Sequence, residues 1–455
     1  MKIAVAGAGF VGLVHAAVMA KQGHTVILFD VNEKRIQNLN DFIEGKTEIL
    51  PIHEEGLAEI LRFTAKNHLL ECTIDQKRAI RESTVIFIAV GTPPDAQGKA
   101  DVKYVEALAE EIGKILQEYP SYKLIINKST VPVGTAKKVK AIIQKYYQGD
   151  FDLASNPETL AEGQAVQDAL RPNRIIVGVD SEKAKHIFQE LYASFFPPQQ
   201  EKIFFMSPES AELTKYACNT YLASQVVLTN VFANIAKKSG ANWRDMAPAI
   251  LADERIGRFV HPGIGFGGSC FRKDVSQLYN TSREKGNANE DSAVLQAILE
   301  QNEKQKKEII YSLEKRYGKD FSGKIFAVWG LSFKKDTNDI RDAASLTIIP
   351  ELLRNGARIQ AHDPEAKIEF IEELKKQKID LSSLNLYDEK YKATENADAL
   401  LILNDWKEYR QPDLKYLKGL LKEKNIFDGK DVLNYLQMKE EDFNYFSIGR
   451  PDIIK

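Results

Sequence analysis

The chain has 455 residues, 44% apolar and 28% charged, with 27 Gly and 16 Pro. That composition excludes a disordered, collagenous or coiled-coil protein and, at roughly 150 residues per domain, predicts about three globular units. Lys and Arg number 62 against 64 Asp and Glu, a formal charge of −2, so no basic excess points to nucleic acid.

Apolar runs such as Val85–Val90 are far too short for a bilayer span, so no membrane association is expected. Three Cys, at 72, 218 and 270, cannot build a disulfide framework and suit a reducing, cytoplasmic setting. Seven His are scattered without ligand spacing, so no metal site is expected.

Lys2–Ala6 reads as a strand. Gly7-Ala8-Gly9-Phe10-Val11-Gly12 follows, then a helix to about Gln22 stopped by Gly23, and a β-branched strand Thr25–Phe29 ending at Asp30. The glycines and the second strand set this stretch apart from a leader peptide. In such a turn the first Gly permits the bend, the second lets backbone approach a pyrophosphate, and the third packs helix on strand. Phosphates then meet a helix N-terminus. Asp30, 18 residues beyond Gly12, is spaced to bond ribose hydroxyls and to repel a 2′-phosphate, which favours NAD over NADP, although Lys34 and Arg35 stand close by. Val85–Val90, closed by Gly91-Thr92-Pro93, and Leu124–Asn127 are further buried strands, so the first unit reads as a doubly wound α/β sheet over 1–205.

A helical stretch from Pro208 to about Lys238 is long enough to be a central strut, and opens a region expected to run over 206–320. Within it Lys215 and Asn219 are four apart and share a face; the spacing fits either a solvated face or a site for developing negative charge. Glu158 and Glu162 show the same spacing, and acid/base pair and charged surface both remain open. Gly263-Ile264-Gly265-Phe266-Gly267-Gly268-Ser269-Cys270 ends on a Cys at a predicted helix start, where the dipole favours a thiolate; Asp274 then lies one turn on. A third unit, 321–455, alternates again: strand Lys324–Trp329, helix Ala343–Arg354, strand Arg358–His362, then strands at Ala397–Leu403 and Asn425–Phe427. The fold expected is two Rossmann-like doubly wound α/β domains joined by a long central helix. The third unit lacks a Gly-x-Gly-x-x-Gly turn, so one NAD site is expected.

Taken in order, Gly7–Gly12, Val90–Pro93, Lys128-Ser129-Thr130-Val131-Pro132, Asn156–Gly163, Glu212–Asn219, Gly263–Asp274 and Gly330-Leu331-Ser332-Phe333-Lys334 resemble the UDP-glucose/GDP-mannose dehydrogenase family over nearly the whole chain. The Phe-Gly-Gly-Ser-Cys-Phe form around Cys270 is closest to the branch that oxidises UDP-glucose. The resemblance implies NAD-dependent, four-electron oxidation of UDP-glucose to UDP-glucuronate through a thiohemiacetal and a thioester on Cys270. It gives Lys215 and Asn219 to oxyanion stabilisation, Asp274 and Thr130 to water, Glu162 to proton transfer and Glu158 to orientation. The cofactor set it implies is Gly7, Gly9, Phe10, Val11, Gly12, Asp30, Lys34, Gly91, Thr92, Thr130, Glu162, Cys270, Lys273 and Arg341. On the substrate side it implies Glu158, Thr159, Leu160, Lys215, Asn219, Phe266, Gly267, Phe333, Lys334 and Lys430. Arg258 would reach a neighbouring subunit's substrate, which implies a homodimer or larger.

Against the family pattern, Thr159 stands where Phe is usual, Arg272 where Pro is, and Gln225 and Val231 where Lys and Glu are. Lys430 replaces an Arg, keeping the charge without the bidentate fork. Other readings of the same residues are a sibling acting on GDP-mannose or a UDP-N-acetylhexosamine, a two-electron hydroxyacid dehydrogenase that would not need Cys270, and a binding module without turnover.

Overall fold

Fourteen short strands among the described residues sort into two separate sheets in the computed structural model. It describes residues 1–52, 54–95, 99–196, 202–253, 256, 261–285 and 291–455. Contacts divide the chain into two units, Met1–Cys218 and Asn219–Lys455, so the division falls inside one continuous helix, Pro208–Lys238.

The first unit carries β1 (Lys2–Ala6), β2 (Thr25–Phe29), β3 (Leu70–Thr73), β4 (Val85–Ile88), β5 (Lys123–Asn127), β6 (Phe151–Ser155), β7 (Ile175–Gly178) and β8 (Ile203–Met206). Their order is β3-β2-β1-β4-β5-β6-β7-β8. The order reverses between β1 and β4, the switch point outside which open α/β sheets hold ligands. β1 and β4 are buried through nearly their whole length, as strands covered on both faces must be, and they read as unbroken apolar runs for that reason. β7 runs antiparallel to β6 and parallel to β8, so the parallel pattern stops there.

The second unit holds β9 (Ile325–Trp329), β10 (Arg358–His362), β11 (Leu384–Tyr387), β12 (Ala399–Ile402), β13 (Asn425–Asp428) and β14 (Asn444–Ser447), ordered β11-β10-β9-β12-β13-β14. Every pairing among these six strands is parallel. Relative to the first strand of each sheet, both units follow the same 3-2-1-4-5-6 winding. The likeness reaches the loops. Gly7 donates to Phe29 and Gly330 to His362, and both adopt positive φ. Strand ends lie within two residues of those read from the sequence, and the helix expected at Ala343–Arg354 spans Ser345–Arg354.

Candidate active site

In the first unit the glycine turn leads into helix Phe10–Lys21, whose first internal bond is Leu13 N–H to the Gly9 carbonyl. The N–H groups of Phe10, Val11 and Gly12 therefore lack intrahelical acceptors, and no side chain caps them. Gly7 has φ +103°, and a Cβ there would come within 2.6 Å of the Ala89 carbonyl oxygen; one on Gly12 would strike the Gly7 carbonyl oxygen. The same Cβ on Gly9 meets nothing within 4 Å, so this glycine keeps open the space in front of the uncapped helix. The cradle fits a pyrophosphate. Asp30 at the end of β2 accepts Ala8 N–H at 2.8 Å and Arg35 Nη1 at 3.1 Å on one oxygen, and Asn32 N–H on the other. Lys34 lies exposed on the next helix. Across the switch point Thr92 Oγ1 donates to the Thr130 carbonyl at 2.8 Å, joining two residues read as cofactor contacts, with Gly91 exposed beside them.

Lys215 is buried, which removes the solvated-face reading. Its ammonium meets Glu158 Oε1 at 2.6 Å, with both side chains 7% exposed. Glu158 Oε2 accepts Leu160 N–H at 2.7 Å. Burial by itself would raise the Glu158 carboxyl, but the pairing with Lys215, the Leu160 N–H and the nearby Lys128 hold it below the usual carboxylate range. Thr130 and Lys215 border one small recess together with Ser155 and Glu212. Thr159 and Glu162 are half-buried in the loop after β6.

In the second unit Cys270 immediately precedes helix Phe271–Lys285, its carbonyl accepting Asp274 N–H at 2.8 Å, and Ser269 Oγ lies 3.5 Å from its Sγ. Asp274, 1% exposed, accepts Asn219 Nδ2 at 2.6 Å, while Lys273 Nζ stands 3.3 Å from its other oxygen. Cys270, Asn219, Lys273 and Asp274 thus gather around one helix start. The loop before Cys270 fits against Phe333: a Cβ on Gly267 or Gly268 would come within about 3 Å of that side chain. Gly268 N–H also donates to the Arg341 carbonyl at 2.7 Å. Phe266 is clamped by Asn302, which accepts its N–H and donates to its carbonyl. The stem of Lys430 passes Gly263, and burial pushes its ammonium down from the ordinary lysine value. Lys334 lies near the Phe333 ring. The Arg341 guanidinium forks onto Asp339 at 2.6–3.0 Å. Arg258 lies outside the described residues.

The doubled winding does not repeat the surroundings of Asp30. Asp363, at the end of β10, corresponds to Asp30 but is fully buried. One of its oxygens is taken by Leu331 and Ser332 N–H and by Trp406 Nε1, the other by Glu365 and Ala366 N–H.

Several contributors carry no local signal. Glu54 accepts Gly163 and Ala165 N–H and so anchors the Glu162 turn. Glu212 accepts Gly134 and Ala136 N–H at the head of helix Thr135–Gln144 and also takes Ser155 Oγ. Arg272, in place of a usual Pro, pairs with Glu303 and with Asp342, which buried Lys306 also holds.

Residues 1–196 match the NAD binding domain of the UDP-glucose/GDP-mannose dehydrogenase family, 209–304 its central domain and 327–435 its UDP binding domain. The chain is 40% identical to UDP-glucose 6-dehydrogenase TuaD of Bacillus subtilis (strain 168), covering 99% of this chain and 94% of that one. It is 36% identical to UDP-glucose 6-dehydrogenase of Pseudomonas aeruginosa, covering 99% and 98%. A solved UDP-glucose dehydrogenase from Pyrobaculum islandicum superposes with a TM-score of 0.87 at 30% identity, over 98% of this chain and 97% of that one. With its pyrophosphate cradle, its cysteine immediately before a helix and matches along nearly its full length, the chain belongs to the UDP-glucose/GDP-mannose dehydrogenase family and takes NAD as its cofactor.

Proposed function

We propose that this chain oxidises the C6 alcohol of UDP-glucose to the carboxylate of UDP-glucuronate, with Cys270 as nucleophile. The observation that carries the reading is Cys270 at the head of its helix, behind the glycine loop and beside the Asn219–Asp274 pair. NAD, when bound, accepts one hydride in each of two oxidations. The alcohol first loses a hydride and a proton to become an aldehyde. The Cys270 thiolate adds to its carbon, and the oxyanion so formed is protonated to a thiohemiacetal, a tetrahedral carbon whose remaining hydrogen can leave as hydride. Loss of that second hydride, and of the hydroxyl proton, leaves a thioester. Water then breaks the C–S bond, giving the carboxylate and freeing the thiol.

Lys215 and Asn219 stabilise the oxyanions. Asp274 and Thr130 hold the attacking water, Glu162 moves its proton, and Glu158 orients Lys215. Thr159, Leu160, Phe266, Gly267, Phe333, Lys334 and Lys430 contact the nucleotide-sugar. Lys34, Gly91, Thr92, Lys273 and Arg341 serve the cofactor. The working units are 1–205, 206–320 and 321–455, in a cytoplasmic homodimer or larger assembly in which Arg258 completes a neighbour's site. Among the described residues no helix is long and apolar enough to cross a membrane.

Two NADH per UDP-glucose at completion, with turnover lost or stalled in Cys270→Ser, is the expected result. One NADH per sugar, unaffected by the substitution, would overturn the thioester route. Because Lys430 replaces an arginine, the same assay is run with GDP-mannose and UDP-N-acetylhexosamines. Faster turnover of one of these would reassign the sugar and leave the chemistry in place.

A further inference from the structure

Asp363 directly follows β10 in the second unit and is fully buried, and among the described residues no Lys or Arg lies within ion-pair distance of it. Its Oδ1 accepts Glu365 N–H at 3.0 Å and Ala366 N–H at 2.9 Å, a turn that leads into helix Lys367–Lys376. Its Oδ2 reaches back to the loop after β9, accepting Leu331 N–H at 2.7 Å and Ser332 N–H at 3.2 Å, and takes Trp406 Nε1 at 3.3 Å from the loop after β12. One oxygen is enough to shape the turn before a helix, and a serine hydroxyl would serve there without the cost of burying a carboxyl group. The second oxygen does something else.

The loop it reaches is tied down along its whole backbone. Ser345 Oγ donates to the Leu331 carbonyl at 2.5 Å, and Asn404 Nδ2 donates to the Ser332 carbonyl and hydroxyl at 2.9 and 2.8 Å. The Ser332 hydroxyl donates in turn to the Lys334 carbonyl at 3.0 Å, and Phe333 N–H to the Asp339 carbonyl at 3.0 Å. Ser332, Ser345 and Asn404 are all buried. Asn404 comes this close because Gly330 has φ +101° and no Cβ; one there would stand 2.3 Å from the Asn404 Cβ. The Phe333 side chain that the loop carries is the surface against which Gly267 and Gly268 fit, three and two residues before Cys270.

We propose that Asp363 is a positioning residue for the nucleotide-sugar: through Oδ2 it fixes the backbone of Leu331 and Ser332, and so sets where Phe333 and Lys334 stand and where the glycine segment before Cys270 rests. Two N–H groups aimed at one buried oxygen require an acceptor there. Without it both lose their partner away from water, and the loop relaxes towards other arrangements. The inference rests on the substrate contacts given to Phe333 and Lys334 above. NAD, assigned to the glycine turn of the first unit, serves as the internal reference.

The test compares the full-length wild type with two variants. Asp363→Ser keeps a hydroxyl for the turn before Lys367 but is too short to reach Leu331, and Ile359→Val trims the buried core at the other end of β10. Each is first shown by its thermal midpoint to be folded at the assay temperature. In Asp363→Ser the KM for UDP-glucose rises about tenfold, kcat changes less than about threefold, and the Kd for NAD stays within about twofold of wild type. Ile359→Val, destabilised in the same sheet, keeps all three constants. A folded Asp363→Ser with the wild-type KM for UDP-glucose overturns the proposal. So does a KM that rises equally in Ile359→Val, or a Kd for NAD that rises in step with it, since the effect would then follow stability alone. If Asp363→Ser does not fold, Ser345→Ala takes its place, removing only the anchor of the Leu331 carbonyl. There the KM rises about threefold, and an unchanged KM overturns the proposal. A wild type that reduces no NAD with any nucleotide-sugar overturns the functional reading and this proposal with it.

Discussion

Lys215 and Glu158 form a buried ion pair in the first unit, and the energetics of such pairs are asymmetric. The attraction roughly offsets desolvation while both partners stand, but losing one leaves an uncompensated charge. Glu158→Gln would strand Lys215 with Lys128 nearby, so the variant should lose about 3 kcal/mol of stability at pH 7 by urea unfolding. The loss should depend on pH in a defined direction. Lys128 has a folded-state value depressed to about 8, below the ordinary lysine value of about 10.4. Its charge therefore costs stability below about pH 8, and that cost fades as pH rises from 8 towards 10.4. Repulsion between two stranded ammonium groups should fade over the same window, and the Glu158→Gln penalty should be smaller at pH 9.5 than at pH 7. An equal penalty at both values would show that Lys128 does not couple to the pair. None of this pairing was legible in the sequence. Glu158 and Lys215 lie on a loop and a helix far apart in the chain, and spacing left both the solvated face and the oxyanion site open; burial removed the first.

At the scale of the element, the glycine turn was legible because its physics is local: strand, bend, helix and acid all fall within thirty residues. The orientation of β7 was not, since an antiparallel strand at the end of a parallel sheet depends on partners far away in sequence. The turn also separates two glycine roles that the motif lists side by side. Gly7 needs a left-handed backbone and has no room for a Cβ, whereas a Cβ on Gly9 meets open space. Gly7→Ala should therefore destabilise the folded chain by more than about 1 kcal/mol and weaken NAD binding as a consequence. Gly9→Ala should keep its thermal midpoint within about 1 °C of wild type while the KM for NAD rises tenfold or more, because the added methyl occupies the approach to the uncapped N–H groups. Calorimetry and NAD titration on the two variants distinguish the roles. Equal loss of stability in both would mean that Gly9 also serves the fold. The Cys270 loop follows the same logic, and its glycines were legible as a flexible approach to a thiol. That they also make room for Phe333 could not be read without the contact.

Across the whole molecule the same strand winding occurs twice, with different outcomes at the switch point. Asp30 stands at the rim beside an open glycine cradle, whereas Asp363 is buried and fully engaged by backbone N–H groups and Trp406. The second sheet thus offers no exposed carboxylate at the place of Asp30, while its loops, Phe333 and Lys430 among them, lie against the glycine segment before Cys270. The helix Pro208–Lys238 adds a further large-scale feature. Tyr221, Leu228, Phe232 and Ile235 recur at helical spacing along one stripe and are 46–65% exposed, while Ala223, Val227, Ala233 and Ala236 on the other side are buried. A row of large apolar side chains in water, backed by a packed face, is expected to be covered by another surface. A second copy of this chain presents the same stripe, and a two-fold pairing buries both at once. Phe232→Glu places a charge in the middle of the stripe and far from the Cys270 cluster in sequence. Light scattering should show the wild type at twice the monomer mass or a higher even multiple, and Phe232→Glu at a smaller assembly. If Arg258 completes a neighbour's site, turnover should fall with the assembly and recover as protein concentration is raised. A variant that keeps both its mass and its activity would place the subunit contact elsewhere.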